Sequence, residues 1–172
     1  MFQFEKTKLD GVLLIKPPVF EDFRGQYVET YNEKIYNEAG ITQRFIQDDI
    51  SVSSKGVLRG IHGDAETSKL VSCMHGRFYL LVVNNDPTST QYKKWQSFLL
   101  TDANRHQVLI PPLHGNGHYV LSEQAIFHYK QTTYYNPKGQ FTLTWNDANF
   151  DFWWPTKNPI LSQRDELGRF VN

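Results

Sequence analysis

Residues 57–76 read Val57-Leu58-Arg59-Gly60-Ile61-His62-Gly63-Asp64-Ala65-Glu66-Thr67-Ser68-Lys69-Leu70-Val71-Ser72-Cys73-Met74-His75-Gly76. Strand-like apolar residues open the stretch at Val57 and Leu58, and a second such run follows Lys69 through Leu70, Val71 and Cys73 to Gly76. A glycine-containing turn between two strands presents His62 at a strand end. The same span brings together a guanidinium, an imidazole, two carboxylates and an amine, so the stretch that points to a β fold also concentrates the chemistry.

Downstream and upstream the β signal repeats. From Arg44 onward, strand-like runs recur at roughly 8–12-residue spacing, as in sandwiches or barrels of antiparallel strands. They fall at 44–50, 57–59, 69–75, 77–84, 95–100, 106–110, 118–121, 125–133 and 141–144. Asn84-Asn85-Asp86-Pro87, Pro111-Pro112 and Asn136-Pro137-Lys138-Gly139 supply the reversals between runs. Before Arg44, residues 11–16 read as a strand closed by Pro17-Pro18 and residues 19–25 as a turn. Residues 26–31 then alternate as a strand with Glu29 on one face. Asn32 is placed to cap a helix over 33–39 that Gly40 stops, and Ser162 to cap a short final helix with Asp165 near its positive end. The architecture these signals predict is all-β, a double-sheet jelly roll with a few short helices, as one domain over 1–172.

Composition bounds the partners. The 172 residues can bury a core without a disulfide or structural metal, and an aromatic share of 15% suits broad β faces. Eighteen basic and eighteen acidic side chains cancel, which leaves no global field for nucleic acid or an anionic membrane but permits a small anionic substrate. Cys73 is the single cysteine, so no internal disulfide forms, and between Val71 and Met74 it reads as a half-buried thiol. The N-terminus lacks an apolar signal core and no run of about 18 apolar residues occurs, a pattern read as cytoplasmic.

Several side chains then stand out. Arg59 and Lys69 are close enough in sequence to face one pocket, and paired cations on a neutral protein suit an anion such as a phosphate; the alternative is a solvated rim. Lys69 opens an apolar strand and can point inward, where an amine needs a partner. Tyr129 shares an inner face with Phe127 by two-residue alternation, as a core tyrosine or a site residue. Gln47 and Asp49 alternate along one strand face, and Asp165 is either a helix-terminus carboxylate or part of the site. His62, Asp64 and Glu66 form a set of oxygen and nitrogen ligands that could hold a divalent ion, although no second histidine follows two residues after His62.

A set of segments then stands in order along the chain: Phe20-Glu21-Asp22-Phe23-Arg24-Gly25 with Glu29, Phe45-Ile46-Gln47-Asp48 with Ser51, Leu58-Arg59-Gly60-Ile61-His62, and Lys69-Leu70-Val71. Tyr129-Lys130 with Tyr134-Tyr135, Trp145-Asn146-Asp147, Trp154-Pro155, and Leu161-Ser162 with Asp165 complete the set across nearly the whole chain. Taken together, these segments resemble the nucleotide-sugar 3,5-epimerases of the dTDP-4-dehydrorhamnose 3,5-epimerase type. The resemblance implies a cupin-type jelly roll that needs neither metal nor other cofactor. It implies His62 as general base, Asp165 as its orienting partner, Tyr129 as the opposing acid and Lys69 as the group stabilising an enolate oxygen. Arg59 and Gln47 would hold sugar and pyrophosphate, with Asp49, Asn116 and His118 assigned to substrate binding and Tyr135 as an aromatic wall. The family's homodimer exchanges N-terminal strands, so Arg24 and Glu29 would reach the nucleotide in the neighbouring pocket.

The implied chemistry is self-consistent. A 4-keto group acidifies the protons on both adjacent ring carbons, so inversion needs one base, one electrophile at the carbonyl oxygen and one acid across the ring. A histidine titrates near working pH, and a carboxylate partner fixes its tautomer. The chain departs from the family pattern at Asn116, where a histidine followed by Gly and Phe is usual, at Leu80, where an aspartate is expected, and at Gly63, where a glutamine follows the catalytic histidine. The His62-Gly63-Asp64 and Gly115-Asn116 pattern resembles a subgroup acting on nucleotide-linked 4-keto-6-deoxyheptoses, which implies an active enzyme with an altered substrate. The competing readings are a metal-dependent cupin enzyme using His62, Asp64 and Glu66, and a non-catalytic sugar-binding cupin.

Overall fold

A computed structural model describes residues 1–170. The chain runs through β1 (Gln3–Lys6), β2 (Leu13–Lys16), β3 (Val19–Asp22), β4 (Gly25–Val28), α1 (Glu33–Glu38), β5 (Gln47–Ser54), β6 (Leu58–Gly63) and β7 (Lys69–His75). It continues through β8 (Arg77–Asn84), β9 (Trp95–Thr101), β10 (Gln107–Ile110), β11 (His114–Val120), β12 (Gln124–Gln131), β13 (Phe141–Thr142) and α2 (Gln163–Leu167). Two main sheets result, one ordered β1-β2-β10-β7-β12-β5 and the other β13-β6-β11-β8-β9, with β3 and β4 forming a separate hairpin. This is the expected all-β jelly roll. Among the described residues, no helix is long and apolar enough to cross a membrane.

The alternation of side chains decides what each sheet covers. Val71 and Cys73 of β7 and Phe127 of β12 meet Phe78, Leu80 and Val82 of β8 and Leu100 of β9, giving the core between the sheets. The opposite face of β8 carries Tyr79, Leu81 and Val83, which pack against Phe150 and Trp154 from the C-terminal segment. The outer face of the six-stranded sheet is covered in part by Phe2, Tyr36 and Ile41 over Ile15, Leu70 and Leu109. β8 is buried on both faces, so it reads as an unbroken apolar run rather than an alternation. Leu80, at the position where the resemblance leads one to expect an aspartate, is fully buried in the inter-sheet core.

The elements differ from the sequence reading at several places, among them β6, which runs on to Gly63, and β13, which ends at Thr142. Residues 19–22, read as a turn, form β3 and pair with β4, while Glu29 and Tyr31 lie beyond the strand. β1 was not signalled; it is a short edge strand that pairs with β2. β5 extends to Ser54 because its ladder with β12 continues through Gln124↔Ser54, carrying polar serines that read locally as turn formers. β11 begins at His114 and passes through Gly115 and Gly117, whose positions are set by close approach: a Cβ on Gly115 would lie 2.7 Å from Ile61 Cγ2. Cys73 is also more deeply buried than its flanks suggested, and burial pushes its thiol up to about 12. The two helices behave as read: Asn32 caps α1 and Ser162 caps α2, whose end is a left-handed Gly168.

Candidate active site

Arg59 and His62 are three residues apart, a spacing that in a regular strand sends side chains to opposite faces. β6 is not regular there. His118 of β11 pairs with Arg59 and Asn116 with His62, so three steps along β6 oppose two along β11 and the ladder carries a bulge. Gly60 makes this possible, with φ at +118° and a backbone so near β11 that a Cβ would lie 2.5 Å from Gly117 Cα. The bulge turns both Arg59 and His62 to one cavity of about 360 Å³.

Other elements complete the wall. Lys69, the first residue of β7, points inward and is 8% exposed; its Nζ donates to Asn116 Oδ1 at 3.2 Å. Burial lowers this amine to about 8, partly offset by Asp64 and reinforced by Arg164. Capped by Ser162, α2 brings Asp165 Oδ1 to 2.6 Å from His62 Nε2. Burial, joined by the Arg164 and Lys69 charges, lowers the His62 pKa although the Asp165 carboxylate raises it. Burial opposes ionisation of Asp165, yet hydrogen bonds from His62, Ser162 and the Gly60 backbone hold it below the usual carboxylate range. A neutral imidazole beside an ionised carboxylate is the outcome, the state of an oriented general base.

Tyr129 of β12 lines the same cavity and sits opposite Asp49 in the β5–β12 ladder. Burial, then the Asp49 charge, pushes its phenol up to about 12, so it keeps its proton at working pH. Asn116, His118 and Tyr135 also line the cavity. Gln47 and Asp49 stand behind it: Gln47 Nε2 donates to Asp49 Oδ2 at 2.8 Å, and Gln47 Oε1 accepts from the Tyr135 backbone at 3.0 Å. Arg24 and Glu29 are not at this cavity. Arg24 pairs with Asp22 at 2.6 Å on the exposed hairpin, and Glu29 accepts from Asn32 at 3.0 Å.

Arg164, Gln140, Ser51 and Ser162 line the cavity without having been singled out as site residues. Arg164 is the largest omission. Its guanidinium donates to Thr142 Oγ1 and Gln140 Oε1, both at 3.0 Å from Nη2, and lies 3.7 Å from the Phe170 ring centroid. Its one signal in the sequence is its place beside Asp165 in a capped helix. The ligand set His62, Asp64 and Glu66 is not assembled. Asp64 Oδ1 instead accepts from the Glu66 and Thr67 backbones at 2.9 and 2.7 Å, and among the described residues no three His, Cys, Asp or Glu side chains converge as a metal site.

The fold and the cavity define a jelly-roll protein in which a neutral imidazole and a protonated phenol face one space. The sequence matches a family model described as dTDP-4-dehydrorhamnose 3,5-epimerase over residues 6–172. It is 39% identical over 166 residues to the dTDP-4-dehydrorhamnose 3,5-epimerase of Escherichia coli, covering 94% of this chain and 90% of that one. Identity to the enzyme of the same name from Methanothermobacter thermautotrophicus is 37% over 169 residues, covering 95% and 91%. The fold superimposes with a TM-score of 0.94 on a Legionella pneumophila dTDP-6-deoxy-D-glucose-3,5-epimerase solved in complex with dTDP-4-keto-L-rhamnose, at 35% identity over 98% of this chain and 92% of that one. The chain belongs to the dTDP-4-dehydrorhamnose 3,5-epimerase family.

Proposed function

We propose that the protein inverts C3, C5 or both in a nucleotide-diphosphate-linked 4-keto-6-deoxy sugar. The observation that carries this is the neutral His62, bonded at 2.6 Å to the Asp165 carboxylate, sharing a cavity with Lys69 and a protonated Tyr129. His62 takes a proton from the carbon next to the ketone. The electron pair left behind moves onto the carbonyl oxygen, where the Lys69 ammonium stabilises the enolate. Tyr129 returns a proton to the same carbon from the opposite ring face as the ketone reforms, and solvent restores the two side chains. Electrons and protons balance within the substrate, so the reaction calls for no metal or redox cofactor.

Arg59 holds the pyrophosphate, helped by the second cation Arg164 across the cavity. The protein works as one catalytic domain in the cytoplasm, where nucleotide-linked sugars are made, and as a homodimer with exchanged N-terminal hairpins. Support for the dimer is that hairpin's exposure of Phe20, Phe23 (98% exposed) and Tyr27, an apolar display with no cover in one chain. Arg24 and Glu29 then reach the partner's nucleotide, while Gln47 and Asp49, behind Tyr135, serve the pocket of their own chain. The Gly63-Asp64 and Gly115-Asn116 pattern favours a 4-keto-6-deoxyheptose over the hexose.

The test incubates the protein with dTDP- and GDP-linked 4-keto-6-deoxyhexose and 4-keto-6-deoxyheptose and reads ring configuration by NMR. Inversion next to the ketone, faster for the heptose and unchanged after chelation, is the expected result. Activity lost to chelator and restored by a divalent ion would move the protein to the metal-dependent reading.

A further inference from the structure

His118 is an imidazole of the cavity wall to which the proposed reaction gives no role. Its residue is 4% exposed, and its Nε2 is buried with no hydrogen-bond partner among the described residues. Its surroundings do not call for a polar ring. The imidazole stacks on Phe127 with centroids 4.2 Å apart and planes 9° from parallel, and Phe78 lies 5.2 Å away. A phenylalanine would fill the same space without an unsatisfied nitrogen. Leaving a buried polar ring unpaired is costly, and because His118 lines the cavity a ligand there can pair with the ring nitrogen that the cavity reaches. His114 shows the contrast: its Nε2 is also unpartnered, but its Nδ1 bonds Pro112 O at 3.0 Å and it does not line the cavity.

Position narrows the ligand group. On β11, His118 is abreast of Arg59 and Asn116 is abreast of His62, with all four side chains lining the cavity. In the proposed reaction Arg59 holds the pyrophosphate, which is joined to C1 of the sugar, and His62 works next to the ketone, with C3 the nearer of the two candidate carbons to C1. Between C1 and C3 lies C2. We infer that His118 is a specificity residue, whose imidazole exchanges a hydrogen bond with the 2-hydroxyl of the bound sugar. The stack on Phe127 fixes the ring plane. Burial, with Arg59 next, lowers its pKa to about 3, so the ring is neutral at working pH and offers one donor and one acceptor, as a hydroxyl requires.

This inference rests on the proposed function, and its test separates the two. Binding of dTDP, dTDP-glucose and dTDP-2-deoxyglucose is measured by calorimetry for the wild type and for His118→Phe, with the GDP counterparts used if GDP is the nucleotide bound. None of these ligands has a ketone, so turnover does not interfere. The wild type is expected to prefer the 2-hydroxy sugar by about tenfold, while the variant loses that preference to within about twofold and keeps its affinity for the free nucleotide. A wild type indifferent to the 2-hydroxyl, or a variant that retains the preference, overturns the assignment. A drop in free-nucleotide affinity equal to the drop for the sugar also overturns it, since His118 would then act on the pocket's shape. If His118→Phe does not fold, His118→Met is read by the same criteria. Failure of the wild type to bind any of the nucleotides would instead remove the proposed function, and this inference with it.

Discussion

His62 and Lys69 set opposite limits on the pH at which the site works. His62 must be neutral to accept a proton, and its lowered pKa keeps it so to below its ordinary value of 6.5. Lys69 must be charged to hold an enolate oxygen, and it loses its proton near 8. The pH profile of kcat/KM should therefore be a bell whose acid limb falls below pH 6.5 and whose basic limb lies near pH 8. Lys69→Met should lower kcat roughly 10²–10³-fold and remove the basic limb from the remaining activity; a basic limb that survives would assign it to another group. Residue by residue, the site was legible where a side chain conflicted with its setting. Lys69, an amine opening an apolar strand, does turn inward. His62 and Asp165, 103 positions apart, have no local signal for their contact and were joined only by resemblance. Arg164 was not legible because an arginine in a short exposed-looking helix is ordinary, and its inward turn depends on Gln140 and Thr142.

Among the elements, the β6–β11 pair carries the greatest demand on geometry. Replacing Gly60 with Ala adds a Cβ that would meet Asn116 O at 2.7 Å, in a conformation with φ at +118° that side chains rarely adopt. The variant should lose on the order of 2–4 kcal/mol of stability by denaturant unfolding, from overpacking and backbone strain together. It should also lose activity while folded, because the bulge that aims Arg59 and His62 would be disturbed; full activity in the folded variant would show that the bulge is not needed. The sequence reads well for strands that answer to one rule. β7 and β8 follow from apolar content, and α1 and α2 from their caps. β11 was read four residues short since glycines punctuate a local reading, whereas here they admit a neighbouring backbone. β3, the first strand of the hairpin, was missed because all its residues are exposed and show no burial pattern.

The whole molecule has an incomplete look that only a second copy resolves under the proposed assembly. An apolar hairpin carrying Arg24 stands away from its own cavity, and the proposed exchange puts it into the partner's. If so, Arg24→Ala and His62→Asn each impair the enzyme alone, but mixed dimers contain one pocket with an intact His62 and a donated intact Arg24. Mixing the two variants, after unfolding and refolding together, should restore up to about a quarter of wild-type activity, because random pairing makes half the dimers mixed and each has one intact site of two. No recovery, with mass measurements showing that dimers had formed, would mean that each hairpin serves its own chain or none. The all-β class was announced by strand spacing, while the pairing of chains was not, since no periodicity in one sequence encodes a contact between two. Turnover in deuterated water reports on proton removal at the ring carbon itself, with a nucleotide-linked 4-keto-6-deoxy sugar as substrate and NMR to locate the label. The wild type should place deuterium on a carbon adjacent to the ketone as it inverts it, His62→Asn should lose both signals by roughly 10²–10⁴-fold, and Tyr129→Phe should exchange faster than it inverts. Deuterium entering at the wild-type rate in His62→Asn would contradict the account, because the proton would then be leaving to some other base.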